Sequence, residues 1–388
     1  MESIMSQWFE CTLNDIGEIV GGATPLTAKK EYYGGEIPWI TPKDLSSHQN
    51  RYIAKGERNI TKAGLNSCSA TLLPKNTILF TSRAPIGYIA ISSTELCTNQ
   101  GFKSIIPKEE IDKLFVYYLL VYNRNKIISM GSGTTFKEVS GKEMKSIEVK
   151  IPQTFRHQKK IASILGRIDD KIELNNKLND NLQQQVATIF KAWFVDFVPF
   201  DETMPSNWTV STLGDVTEMG AGGDKPKETS QVKTPLYPYP IYSNGINNYG
   251  LYGYTNEPKI KSESVTVSAR GTIGYVCLRH IPYVSIVRLV TLIPDTSVLS
   301  AKYLYLYLSQ LHITGTGTTQ QQLTVPDFRK TEIIIPDKAT MDFFTETVTP
   351  LFEQIWVNED ENNKLAEVRD ALLPKLMSGE IDVSNIQV

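Results

Sequence analysis

The sequence predicts an α+β protein written twice: two globular heads of mixed strand and helix, separated by two long helices that pair as an antiparallel coiled coil about a pseudo-twofold axis. Three observations predict this. Blocks of sequence recur in the same order along the chain, each set of blocks begins with strand-and-turn patterning, and each ends in a very long apolar-periodic stretch. The predicted segments are residues 1–153 (first head), 154–199 (first long helix), 200–337 (second head) and 338–388 (second long helix with its tail).

The repeat comes first because it decides the fold. CTLNDIGEIVGG at 11–22 answers STLGDVTEMGAG at 211–222, TSRAPIGYIAI at 81–91 answers SARGTIGYVCL at 268–278, and GSGTTF at 131–136 answers GTGTTQ at 315–320. IP then returns at 151–152 and 335–336, and NNKL at 175–178 and 362–365. The offset drifts from 200 to 187 to 184 and back to 187, so the two copies differ by insertions between blocks. A period this long excludes a solenoid and points to a duplicated globular-plus-helical unit.

Each head is mixed. TILFTSRAPIGYIAI and SVTVSARGTIGYVCL are β-rich runs broken by Gly or Pro turns, while 111–130 and 300–313 carry helical periodicity. The long helices follow. Between 158 and 194, Ile161, Leu165, Ile168, Ile172, Asn175, Leu178, Leu182, Val186, Ile189 and Trp193 recur at spacings of three and four. Between 344 and 376, Phe344, Val348, Leu351, Ile355, Asn358, Asn362, Leu365, Leu372 and Leu376 do the same. Such seams drive helices together, with Pro199 expected to stop the first and Pro374 and Gly379 to weaken and stop the second. Connectivity requires the second helix to run back along the first. Asn175, Asn176, Asn362 and Asn363 then meet near the middle, where polar seam residues fix register at a cost in stability.

The net charge is −2, distributed as +3, +2, −1 and −6 over 1–155, 156–200, 201–337 and 338–388. The opposite signs of the helical segments favour their pairing. A nucleic-acid binder working alone is usually basic overall, so partners are expected to share that work. No run of eighteen apolar residues and no secretory leader are found, so the chain is expected to stay in the cytoplasm. Cys11, Cys68, Cys97 and Cys277 are widely spaced, there are only four histidines, and no zinc pattern arises; the thiols are expected to be reduced. No phosphate-binding loop, adenine-methyltransferase motif or dinucleotide fingerprint is present. Glu143-Met144-Lys145 and Glu148-Val149-Lys150 have a nuclease-like Glu-x-Lys spacing without the upstream Asp, and read as surface charge alternation.

Two heads on a twofold helical ruler suit duplex DNA, whose groove repeats about every 34 Å. The whole chain resembles the specificity subunit of Type I restriction-modification systems. The resemblance rests on WFECTLNDIGEIVGGATP, IPWITPKDL, TSRAPIGYIAI and GTTFKEVSGKEMKSIEVKIP, then on 157–197 nearly end to end. YPIYSNGINNYGLYGY, VSARGTIGY, GTGTTQQQLTVPDFRKTEIIIP and NNKLAEVRDALLPKLMSGEIDV carry it through the second copy. It implies a non-catalytic subunit whose heads read a bipartite asymmetric DNA site in the major groove. The helices would hold two adenine methyltransferase subunits, to which two motor-nuclease subunits can add, with S-adenosylmethionine, ATP and magnesium on the partners. Alternatives are a helical scaffold with protein-binding heads and a stand-alone DNA-modifying enzyme.

Base and phosphate contacts need Arg, Lys, Asn, Gln, Ser or Thr on accessible loops. In the first head the candidates are Thr24, Lys29, Lys30, Lys43, Arg51, Lys55, Arg58, Arg83, Thr134, Thr135 and Lys137. In the second they are Lys225, Lys227, Ser243, Asn244, Asn247, Arg270, Thr318, Thr319, Gln320 and Gln321. Arg83 and Arg270 both precede Ile-Gly-Tyr at the same spacing; a motif shared by heads that read different sequences favours a scaffold or phosphate role over base reading. The tyrosines at 237, 239, 242, 249, 252 and 254 read mainly as packing around a Ser243-Asn244-Gly245 turn, with one or two near DNA. Trp193, Phe194 and Phe197 with Leu372, Leu373 and Leu376 either dock against a head or form a methyltransferase-binding patch.

Overall fold

The computed structural model describes residues 8–384 and 386, apart from 49, 134–136 and 316–321. The chain divides into two compact units, Met1–Asn176 with Glu359–Val388, and Lys177–Asn358. Each unit thus unites one head with half of each long helix, cutting across the sequence segments.

In the first unit a five-stranded sheet runs Gly17–Gly21, Lys103–Pro107, Ile78–Phe80, Ile89–Ser92, Tyr52–Ile53. A second sheet orders Arg58–Ile60, Tyr33–Ile40 and Cys97–Thr98, and a ribbon pairs Trp8–Thr12 antiparallel with Glu148–Pro152. Helix Lys113–Met130 starts at Asp112, whose carboxylate accepts from the Phe115 amide at 2.8 Å and so satisfies a donor the helix cannot. Its Phe115, Val116, Leu119 and Leu120 are buried in a core shared with Ile161 and Leu165 of the long helix and Leu376 and Met377 near the C-terminus.

The second unit repeats this plan. Its larger sheet runs Thr217–Ala221, Val290–Pro294, Ser264–Val267, Val276–Arg279; its smaller one orders Leu251–Thr255, Tyr239–Tyr242, Val284–Ser285. Thr209–Thr212 pairs antiparallel with Glu332–Ile335, and helix Ala301–Gln310 is capped by Ser300. Only the edge strand Tyr52–Ile53 lacks a counterpart among the described residues. The duplication seen in sequence is therefore a duplication of sheet order.

The long helices run Phe155–Phe194 and Lys338–Ser378. In the first unit Asp169 meets Arg369 at 2.9 Å and Asn175 meets Asn362 at 2.9 Å, so rising numbers on one helix meet falling numbers on the other. In the second unit Asn358 Nδ2 donates to Asn179 Oδ1 at 2.7 Å, while Phe190 and Phe344 pack with ring centroids 6.1 Å apart, in the same antiparallel sense.

Two sequence expectations are corrected here. The buried face after Asn175 follows Asn179, Val186, Phe190 and Phe194, whereas Leu178 is 46% exposed and Ile189 and Trp193 are only half-buried. The steps are mostly of four, closer to the natural period of a straight helix than a strict heptad. Pro199 does not stop the first helix: Val195 and Asp196 both donate to the Lys191 carbonyl, and Phe197 turns left-handed at φ 52°. Pro374 costs one backbone donor but does not break the second helix, because Leu373, Leu376 and Met377 around it are buried. That helix ends at Gly379, whose φ of +81° suits glycine and whose Cβ would stand 2.6 Å from the Trp8 indole nitrogen.

Candidate nucleic-acid interface

The two arginine loops are built on one backbone frame. Thr81 N donates to Tyr88 O at 2.9 Å and Gly87 N to Thr81 O at 2.9 Å; Ser268 N donates to Tyr275 O at 3.0 Å and Gly274 N to Ser268 O at 2.9 Å. The loop after each strand is tied to the segment that follows the Gly-Thr-Thr stretch, through Val139 N to Ser82 O at 3.0 Å and Leu323 N to Ala269 O at 3.1 Å. Gly87 and Gly274 have φ of +101° and +84°, a backbone region that a side chain would strain. Tyr88 and Tyr275 are half-buried rather than core residues.

The arginines differ in company. Arg83 stands 3.6 Å from Glu138, which Lys103 also approaches at 3.3 Å. Arg270 directs Nε and Nη2 at the single Gln322 Oε1, at 3.1 and 2.9 Å. Thr134 and Thr135 in the first head, and Thr318, Thr319, Gln320 and Gln321 in the second, lie outside the described residues.

Several basic candidates sit on exposed surface with aromatic or acidic company. Arg58 lies 5.0 Å over the Trp39 ring and 5.7 Å over Tyr33; Lys29 lies 5.1 Å over Tyr32, and Lys225 5.3 Å over Tyr252. Lys43 pairs with Glu57 at 2.8 Å, and Thr24 hydrogen-bonds Gln100. Lys30, Lys55, Lys137, Lys227 and Asn247 are exposed, and Ser243 is half-buried. Of the tyrosines at 237, 239, 242, 249, 252 and 254, Tyr249 and Tyr252 are exposed and the others partly buried.

Two candidates are structural instead. Arg51 is 4% exposed and holds Asp170 and Glu173 of the long helix, the latter at 3.0 Å; burial works against its charge, but the carboxylates raise its pKa. It braces the head and cannot meet a phosphate. Asn244 is tied to the scaffold at both ends of its amide: Nδ2 donates to Val287 O at 2.6 Å, and Oδ1 accepts from Ala269 N at 2.7 Å and from Ser268 Oγ.

Of the apolar patch candidates, Phe194, Leu373 and Leu376 are buried in the two cores, so they dock within the chain and offer no surface to a partner. Phe194 touches the rings of Trp208, Tyr303 and Phe344. Trp193 stacks on Phe343 at 5.5 Å, and Trp193, Phe197 and Leu372 are half-buried.

At mid-helix, Asn175 Nδ2 donates to Asn362 Oδ1 and to Glu361 at 2.8 Å, and Asn362 Nδ2 donates to Asn176 Oδ1 at 2.8 Å. The hydrogen bond from Asn175, then that from Lys171, holds Glu361 below the ordinary carboxylate range. Asn363 points outward and is exposed, one position off the buried face. Sequence reading missed the Asn179–Asn358 pair and the network in which buried Asp169 accepts from Tyr118 at 2.5 Å and from Arg369. The adjacent acids Asp169-Asp170 beside a predicted seam were the available signal. Among the described residues, no group of three or more His, Cys, Asp or Glu side chains is placed to hold a metal, and no helix is long and apolar enough to cross a membrane.

The family model for the Type I restriction modification DNA specificity domain matches residues 5–184 and 205–367. The chain is 36% identical over 423 residues to the MjaIX specificity subunit of Methanocaldococcus jannaschii, covering 99% of this chain and 95% of that one. It is 26% identical to the HindI specificity subunit of Haemophilus influenzae, covering 97% and 100%. Its fold is similar to the crystal structure of a Type I system S subunit from M. genitalium, at TM-score 0.64 and 18% identity over 97% of this chain and 98% of that one.

Proposed function

Because this chain belongs to the Type I restriction-modification DNA specificity family, we propose that its two heads read the two halves of a bipartite, asymmetric DNA site in the major groove, while the two long helices set the spacing. Membership makes it a non-catalytic, DNA sequence-specificity subunit. The same helices dock two adenine methyltransferase subunits, through which two motor-nuclease subunits can join. The partners carry S-adenosylmethionine, ATP and magnesium. The observation that supports this reading is the duplication of one head plan with unlike surfaces. The sheets and arginine loops repeat, whereas the exposed tyrosines of the second head face no counterpart run in the first. Common scaffold with divergent loops is what reading two different half-sites requires.

The buried Asn pairs are the register marks of the helical ruler. Mapping modified adenines in a host that carries this chain with its methyltransferase should reveal two short sequence blocks separated by a constant gap. Adding seven residues to each long helix, about 10 Å of helix, should widen that gap by about 3 base pairs. An unchanged gap would rule out the ruler, and modification with no two-block motif would rule out the two-head reading.

A further inference from the structure

We propose that Arg83 and Arg270 are the sequence-independent phosphate contacts of the two heads, and that the residue at position 138 or 322 sets how much of each arginine's charge reaches the backbone. This rests on the DNA-reading function above. The first support is the shared frame: the same pairs of main-chain hydrogen bonds, at 2.9–3.1 Å, carry both arginines at the same point of the loop. A geometry common to heads with unlike surfaces suits the part of DNA common to every sequence.

The second support is a compensated charge exchange. Val139 and Leu323 occupy the same hydrogen-bonded place in the two heads, which makes Glu138 the counterpart of Gln322. Lys103 pairs opposite Gly21, as Val290 pairs opposite Ala221, which makes Lys103 the counterpart of Val290. The first head therefore gains an acid and a base together where the second has two neutral residues. With the arginine counted, each cluster keeps one net positive charge. A brace for the fold would not require that balance, whereas an anion site would.

The third support is geometric. The 3.6 Å approach of Arg83 to Glu138 is an ion contact rather than a hydrogen bond, and its side chain is 34% exposed. Arg270 is exposed and turned by a neutral amide, which orients the guanidinium without neutralising it. In the first head, a phosphate must compete with the Glu138 carboxylate; in the second it has no such competitor.

The test uses the full chain assembled with its methyltransferase subunits, titrated with a target duplex and a random-sequence duplex over a salt series. R83Q and R270Q should each weaken both duplexes by the same factor and flatten the slope of log K against log[salt] by about 0.9, the signature of one lost phosphate contact. E138Q should tighten both duplexes and Q322E should weaken both, with thermal midpoints of all four variants at the wild-type value. Loss confined to the target duplex, with an altered methylation motif, would make the arginines base readers. A lowered midpoint with an unchanged slope would make them braces; either result overturns the proposal. A wild-type complex that prefers no duplex would instead overturn the functional reading itself.

Discussion

The two head-to-helix junctions occupy equivalent places and use opposite chemistry. The 187-residue offset marked by the NNKL phrases makes Trp356 the sequence counterpart of Asp169, and Leu182 that of Arg369. In the first unit the junction is a charged clasp: Arg51 grips Asp170 and Glu173, and Asp169 accepts from Tyr118 and Arg369. In the second unit Trp356 stands at the place of Asp169 and stacks on His280 at 4.0 Å and on Phe352 at 5.9 Å, while nearer the helix ends Phe190, Phe194 and Phe344 interlock with Tyr303. One backbone plan tolerates either solution because each is complete. The buried charges are paired, and the aromatic rings meet in edge-to-face, tilted and stacked contacts.

The difference can be broken most strongly at its centres. Phe194→Ala should destabilise the second unit by about 3–5 kcal/mol, with little dependence on salt. Arg51→Ala should cost the first unit about 3 kcal/mol, because Glu173 loses its partner in a largely buried place. Arg51→Met with Glu173→Leu should recover most of that loss. Resolved chemical denaturation of the two units measures both effects; a first unit unmoved by Arg51→Ala would erase the contrast.

A smaller effect is expected at mid-helix. Asn175 Oδ1 is buried with no hydrogen-bond partner among the described residues, so Asn175→Leu should raise stability by about 1 kcal/mol. The same change should blur the gap between recognised sequence blocks, and a gap as constant as wild type would argue against a register role.

Acidity should also separate the units. Burial holds His157 below its ordinary value of 6.5, against a weaker pull from Asp382. The folded state then binds the proton less readily than the unfolded chain, so the first unit should lose stability as pH falls from about 6.5. His157→Gln should remove that slope in a thermal-melt series across pH. The smallest effect belongs to Lys43→Ala: its pair with Glu57 lies at the surface, 80% and 66% exposed, and its loss should leave the thermal midpoint unmoved.

Much of this was legible in sequence. Strand runs, turn glycines and the two long helices follow from local pattern, and the repeat by itself marks the arginine loops. Arg51 was not legible, because its partners lie more than a hundred residues away and nothing local distinguishes a buried arginine from a loop arginine. Asn244 looked like a base reader for a related reason: its amide is used by Val287 and Ala269, which only tertiary folding brings near. The buried face slipped from Leu178 to Asn179 because hydrophobicity favoured the leucine, while the partner helix presents Asn358, whose Nδ2 donates to Asn179 Oδ1.

The ribbons that close the heads have a consequence for inheritance. Trp8–Thr12 lies against Glu148–Pro152, and Thr209–Thr212 against Glu332–Ile335, so the chain enters and leaves each head at adjacent points. A gene segment encoding everything between two such strands can be exchanged for another whose ends meet the same way, leaving the helices in place. Recombination at two short, predictable seams would then give a lineage a new DNA address in a single event.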